Sequence, residues 1–205
     1  MNTYAFIDVS NTIGTTNGCL GFSIDWSRLY LLLTNKKWEC KDIYFYKGHK
    51  GKKEKQQLDK MAEGVGYKIR TKLTHIHPDI SRDVNVICPA CNEKFVHEET
   101  VKGRWKSNCD VELSVDAVNV LSSGDEALIF TGDGDFAYLI EDLIGKGVHV
   151  RIVSSTKRDM NNNKRFSTRL NRILDREESS GEKRASFLHI DSWRYLIQKE
   201  NCHEA

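Results

Sequence analysis

The sequence predicts an α/β fold with a mainly parallel central sheet. Three observations carry this reading. Short apolar runs alternate with stretches of helical periodicity along most of the chain. Acidic and polar residues stand directly after several of those runs, where an open parallel sheet presents its ligand-binding edge. The length of 205 residues, with 39% hydrophobic and 29% charged, suffices for one buried core without staples.

Residues 4–9 (YAFIDV) read as a buried strand that delivers Asp8, followed by Ser10 and Asn11. Gly14, Gly18 and Gly21 mark the next stretch as a loop. Phe22, Trp26, Leu29, Tyr30 and Leu33 recur at helical spacing, with Ser23 or Asp25 as the cap. Residues 42–47 (DIYFYK) read as a second strand, 52–63 as a polar helix, and 67–73 (YKIRTKL) as a third strand. Residues 84–88 form a short strand leading into a cysteine pair. Val111, Leu113, Val115, Val118 and Leu121 place a helix over 110–121. Residues 127–131 (ALIFT) are a compact buried strand that breaks into Gly132-Asp133-Gly134-Asp135, with a helix resuming over 136–146. A strand over 149–154, a basic helix over 163–175, a strand over 186–190 and a helix over 192–199 complete the chain.

The formal charge of +2 excludes a bulk polycation but permits local basic patches. Two such patches occur. Lys47, Lys50, Lys52, Lys53, Lys55 and Lys60 with His49 form the first, which reads best as a solvated helix face. Lys157, Arg158, Lys164, Arg165, Arg169 and Arg172 form the second, opposed by Asp159 alone. Its position after the strand over 149–154 returns it to the rim that carries the acids, which suits a phosphate backbone. Tyr44, Tyr46, Trp105 and Phe166 are candidates for base stacking. No basic-then-apolar leader opens the sequence and no apolar stretch is long enough to span a bilayer, so no membrane association and a cytoplasmic location are expected. The Gly-x-Ser-x-Gly and P-loop patterns are absent. His49, His149 and His189 read as surface or packed histidines.

Asp8, Asp133 and Asp135 follow strands, and Asp110 opens a helix that can face the same rim. Taken singly, Asp8 or Asp110 reads as a turn or cap residue. Together they form a set that repels itself unless a cation sits among its members. Carboxylate oxygens suit hard ions such as Mg2+ and Mn2+, which support phosphodiester cleavage.

Four segments extend this reading. FIDVSN at 6–11 resembles the opening FIDxSN motif of NYN domains, members of the PIN-like nuclease superfamily. CDVELSVDA at 109–117 resembles their VDVxLAVDA helix, TGDGDF at 131–136 their SGDGDF motif, and GKGVHV at 145–150 the GKxVxV segment that follows. The resemblance implies a three-layer α/β/α PIN-like fold spanning a single domain of residues 1–205. It implies a metal-dependent ribonuclease site with Asp8, Asp110, Asp133 and Asp135 holding Mg2+ or Mn2+. Asn11 is counted with this machinery, and Ser10 and Thr131 support it. Products with 5′-phosphate and 3′-hydroxyl ends are implied in the same way. Asp116 matches the family helix but lies six residues after Asp110 and so points well away from it. It either supports the site by another route or is a structural acid. The sequence departs from the family at Ser107-Asn108-Cys109, where Lys-Gly-Val is common.

Residues 74–109 read as a zinc-knuckle-like insertion. The Cys88-Pro89-Ala90-Cys91 turn can place two thiolates on one tetrahedral metal. Cys109 is the third candidate ligand and His97 the fourth, with His75 and His77 as competitors. A redox pair or an unliganded turn are the other readings. Cys19, Cys40 and Cys202 stand alone. A zinc ion held by Cys109 would anchor the segment that carries Asp110.

The function expected is metal-dependent hydrolysis of RNA, with basic residues 157–169 holding the strand. An RNA-binding or scaffold protein of the same fold that cuts poorly is the alternative, and a metal-dependent phosphatase for small phosphoesters is a third. Homodimerisation stays open.

Overall fold

The computed structural model describes residues 1–200 apart from 77, 102, 104, 107 and 108. His77 and Cys202 therefore lie outside the described residues, as do the side chains of His75 and Trp105. The first half of the central sheet is β1 (Thr3–Asp8), β2 (Cys40–His49) and β3 (Lys68–Leu73). The second half is β8 (Glu126–Phe130), β9 (His149–Ser154) and β10 (Ala185–His189). Four short strands lie between these halves: β4 (His75–Ile76), β5 (Ile80–Ile87), β6 (Lys94–Val101) and β7 (Trp105–Lys106).

The sheet runs β3-β2-β1-β8-β9-β10, and every neighbouring pair is parallel. The chain thus winds outward from β1 in one direction, then restarts at β8 and winds outward in the other. The switch point lies between β1 and β8, where the connections diverge and leave a crevice at the strands' C-terminal ends.

Alternation within the strands explains the three layers. Tyr4, Phe6, Ala127 and Ile129 point to one face, where they pack with α4 (Asp110–Val120), α5 (Ala137–Gly145) and α6 (Thr168–Ser179). Ala5, Ile7, Leu128 and Phe130 point to the other. There they meet α2 (Trp26–Thr34), α3 (Lys52–Val65) and α7 (Arg194–Ile197), with Val9 of α1 (Val9–Ile13) closing the layer. β1 and β8 are buried on both sides, which is why they read as continuous apolar runs. Burying each of Phe6, Ile7, Ile129 and Phe130 contributes about 1.5–3 kcal/mol. The centre of the sheet is therefore a stiff platform for whatever its ends carry. Among the described residues no helix is long and apolar enough to cross a membrane.

Three elements differ from expectation. The glycine-bearing stretch after α1 is a π-helical turn over Gly14–Cys19. Threonine bonds accompany it: Thr12 Oγ1, in the preceding α1, donates to the Asp8 carbonyl at 2.6 Å, and Thr16 Oγ1 to the Thr12 carbonyl at 3.1 Å. The basic helix begins at Thr168 rather than at 163, because Ser167 accepts the Arg169 N–H and caps it. The expected strand over 84–88 is one arm of an antiparallel hairpin of β5 and β6. β6 lacks a buried face, so burial patterning gave no sign of it.

Candidate functional site

Asp8 ends β1 and caps α1, its Oδ1 accepting the Asn11 N–H at 3.1 Å. Asn11 in turn reaches across the switch point, its Oδ1 accepting the Gly132 N–H at 2.8 Å. This bond ties the end of β1 to the turn after β8. Thr131 Oγ1 accepts the Asp133 N–H at 3.1 Å, and Asp133 Oδ1 accepts the Asp135 N–H at 3.0 Å. The Gly-Asp-Gly-Asp turn is thus fixed from three sides before any ligand arrives.

Gly132 and Gly134 are glycines for lack of room. A Cβ at Gly132 would come within 2.5 Å of the Arg165 carbonyl oxygen, and one at Gly134 would collide with Ser167 Oγ. The segment before α6 folds tightly over the turn, with the Ser167 N–H donating to the Gly132 carbonyl at 2.9 Å.

Asp110, Asp133 and Asp135 converge so that one carboxylate oxygen from each lies within 4.8 Å of the others. Asp110 stands in the first turn of α4, where the helix N-terminus favours negative charge. Asp8 stands beside this trio. Burial, and then the charges of Asp110 and Asp133, push its carboxyl up to about 6, while the Asn11 N–H pulls it down. The folded chain therefore binds a proton at Asp8 that the unfolded chain has released between roughly pH 4 and 6. Stability from this group is greatest below pH 4 and falls as pH rises to 6, by about 3 kcal/mol at most. Asp8→Asn is expected to remove that fall and to be more stable than wild type at pH 7 in EDTA. Urea unfolding of both proteins across pH 4–7 measures the difference. Parallel curves would refute the assignment.

The cleft beside the acids has a volume of about 460 Å3 and is lined by Asn11, Gly132–Asp135, Lys164, Arg165, Ser167 and Arg169. Three of the five predicted RNA-binding cations therefore face the acidic rim. Lys157 and Arg158 are not among the cleft's lining residues. Lys157 pairs with Asp191 at 3.2 Å, and Arg158 donates to the Asn162 carbonyl at 2.8 Å. The Arg165 guanidinium rests on Gly14 and Gly18. Sequence reading missed this groove and Ser167; the four-residue glycine spacing on a helical turn was the available signal.

Several other candidates have different surroundings. Asp116 Oδ2 accepts from the Tyr46 hydroxyl at 2.9 Å and from Arg70 Nε at 3.0 Å, and does not join the acidic trio. Burial, and then this bond, raise the Tyr46 phenol well above its ordinary value. Tyr44, Tyr46 and Phe166 are buried core residues, so base stacking by them is corrected. In the first basic patch, Lys47 pairs with Glu54 and Lys55 with Asp59. The four candidate zinc ligands have separate surroundings. Among the described residues Cys88, Cys91, Cys109 and His97 form no common group. Cys109 belongs to the core, where burial and the Glu112 charge push its thiol up to about 11. His97 sits mid-strand opposite Val84.

Comparison with known proteins adds to this geometry. A family model described as NYN domain matches residues 2–175. The low amplitude and bright protein LabA of Synechococcus elongatus is 29% identical over 119 residues, covering 57% of this chain and 54% of LabA. The chain thus spans little more than half the length of that relative. A solved structure of a protein of unknown function from Vibrio parahaemolyticus matches with a TM-score of 0.58 at 20% identity. The match covers 97% of this chain and 96% of that one, and shows a shared fold.

Proposed function

The chain belongs to the NYN-domain family, and from that premise we propose that it is a metal-dependent ribonuclease hydrolysing RNA phosphodiester bonds. The observation that carries the reading is the convergence of Asp110, Asp133 and Asp135 beside Lys164, Arg165 and Arg169. The donor set fits the ion. Carboxylates alone, with no thiolate or imidazole among them, suit hard Mg2+ or Mn2+. Asp110, Asp133 and Asp135 would hold it, and Asp8, pushed up to about 6 in its absence, would complete the negative field. When bound, such an ion supplies water activation and charge stabilisation at phosphorus.

The protein's own residues do the rest. Asn11 and Thr131 fix the turn so that Asp133 and Asp135 need not reorganise. Lys164 and Arg169 offer charge-assisted hydrogen bonds to phosphate oxygens, which offset the repulsion between RNA and the carboxylates. The free state of Cys19, Cys40, Cys88, Cys91 and Cys109 suits a reducing cytoplasm.

The test is cleavage of a 5′-labelled single-stranded RNA with Mn2+, with Mg2+ or with EDTA. Cleavage with metal and none with EDTA is expected. Salt-sensitive retention of RNA without cleavage would replace the enzyme with a binding protein of the same fold. Hydrolysis of small phosphoesters in place of RNA would move the substrate class.

A further inference from the structure

We propose that Cys88 and Cys91 are half of a tetrahedral zinc site that a second copy of this chain completes, so that one ion joins two hairpin tips. The site lies outside the acidic cleft and does not depend on the activity proposed there.

The first support is the turn itself. β5 and β6 pair in antiparallel register from Ile80↔Val101 to Ile87↔Lys94, and Cys88 and Cys91 lie in the connection between them. The Cys88 N–H donates to the Glu93 carbonyl and the Asn92 N–H to the Cys88 carbonyl, each at 2.9 Å. Asn92 takes the left-handed conformation, with φ of 59°, that closes this turn. Hydrogen bonding from the Ala90 and Cys91 backbone, and then from the Cys91 thiol, holds the Cys88 thiol below its ordinary value. Both cysteines are thus held on the same closed turn. This arrangement has no packing role, because Cys91 is exposed and Cys88 only half-buried at the end of an arm.

The second support is a deficit of ligands. Zinc in structural sites takes four donors. Among the described residues no further cysteine, histidine or carboxylate joins the pair. Cys109 is locked in the core, and His97 stands three residues beyond Lys94, roughly 10 Å down the strand. Two tips related by a two-fold axis would supply four identical thiolates, the zinc ion displacing the four thiol protons.

The third support is the face that carries Cys88. Register places Ile80, Val84, Val86, Phe95, His97 and Val101 on one side of the hairpin. Ile80 is 61% exposed, Phe95 48% and Val101 45%. The Arg82–Glu99 ion pair crosses the same face at 2.8 Å. The opposite face carries Ser81, Asp83, Asn85, Lys94, Glu98 and Thr100, together with Ile87, 56% exposed, and Val96, 62% exposed. An isolated two-stranded hairpin is marginally stable in water, and exposed apolar side chains on both of its faces call for a cover. A second copy brings the same face and the same sulfurs, which makes the contact self-complementary.

The experiment uses the full chain, stripped with EDTA and kept under a non-thiol reductant. Zinc is titrated in while molar mass is followed by light scattering and bound metal is counted. Uptake of one zinc per two chains with a doubling of mass is expected. Cobalt in place of zinc should give the charge-transfer and d–d absorption of a tetrahedral tetrathiolate site. Cys88→Ser and Cys91→Ser should each lose uptake, spectrum and dimer, while His97→Ala keeps all three. Unchanged thermal melts in EDTA would show that the serine variants fold. One zinc per monomer, a dimer that forms in EDTA, or a zinc dimer that survives Cys88→Ser would each overturn the proposal, as would no uptake at all.

Discussion

Asp133→Asn is expected to lower RNA cleavage by roughly 10²–10³-fold, the loss typical when one element of a preorganised electrostatic site is removed. The substitution separates charge from shape. Asp133 caps a short helical turn by accepting the Asp135 N–H, and an asparagine oxygen accepts the same bond. Thr131 still receives the residue-133 N–H, and Asn11 still holds Gly132. What disappears is one negative charge from the three that converge within 4.8 Å. Affinity for Mg2+ or Mn2+ should fall with it. RNA retention should survive or tighten, because the rim becomes less repulsive to a polyanion. Cleavage and filter retention measured on the same preparation distinguish the two effects. Full cleavage by the variant would remove Asp133 from the metal site.

The residues that make this prediction possible were visible in the sequence for a physical reason. A parallel sheet delivers its strand ends to one edge, so Asp8 and the Gly-Asp-Gly-Asp turn had to be near each other once β1 and β8 were recognised. Both strands are buried on two sides and announce themselves as unbroken apolar runs. Asp110 was harder, since it opens a helix reached through the insertion, and only its helical context pointed to the rim. What the sequence hid depends on long-range closure. Nothing local says that Asp116 turns to Tyr46 and Arg70, 70 and 46 residues away. Nothing local says that Phe166 packs against Phe187 at 4.8 Å between ring centres instead of meeting a base. The cysteine pair shows the same limit. Spacing reveals that Cys88 and Cys91 share a turn, but a tetrahedral site needs two more donors, and one-dimensional spacing made Cys109 look nearer than the core allows. The glycines posed the reverse problem. The Gly-Asp-Gly-Asp pattern by itself signals a turn, whereas what requires Gly132 is the close approach of the Arg165 backbone.

That close packing bears on the last prediction, which concerns the cations. Lys164→Gln with Arg169→Gln should weaken RNA binding by on the order of 10²–10⁴-fold, each lost charge-assisted hydrogen bond to phosphate being worth about 1.5–3 kcal/mol. The slope of log affinity against log salt should flatten by about 1.4, since each phosphate contact on a single strand contributes about 0.7. Arg165 is left in place deliberately. Its guanidinium fills the groove over Gly14 and Gly18 and its carbonyl abuts Gly132, so its replacement would disturb the turn that carries Asp133. Lys164 and Arg169 line the same cleft, and the Ser167 cap and its bond to Gly132 persist without them. A change in slope is the diagnostic, because a folding defect lowers the active fraction without altering how the remaining protein responds to salt. An unchanged slope would place the strand elsewhere. The first candidate would then be the side of Lys157, which pairs with Asp191 and lines a separate cleft with His189, Arg194 and Tyr195. A flattened slope would place the phosphates within reach of the converged carboxylates. The acids and bases of this rim would then act together, the bases drawing the RNA to a site whose carboxylates alone would repel it.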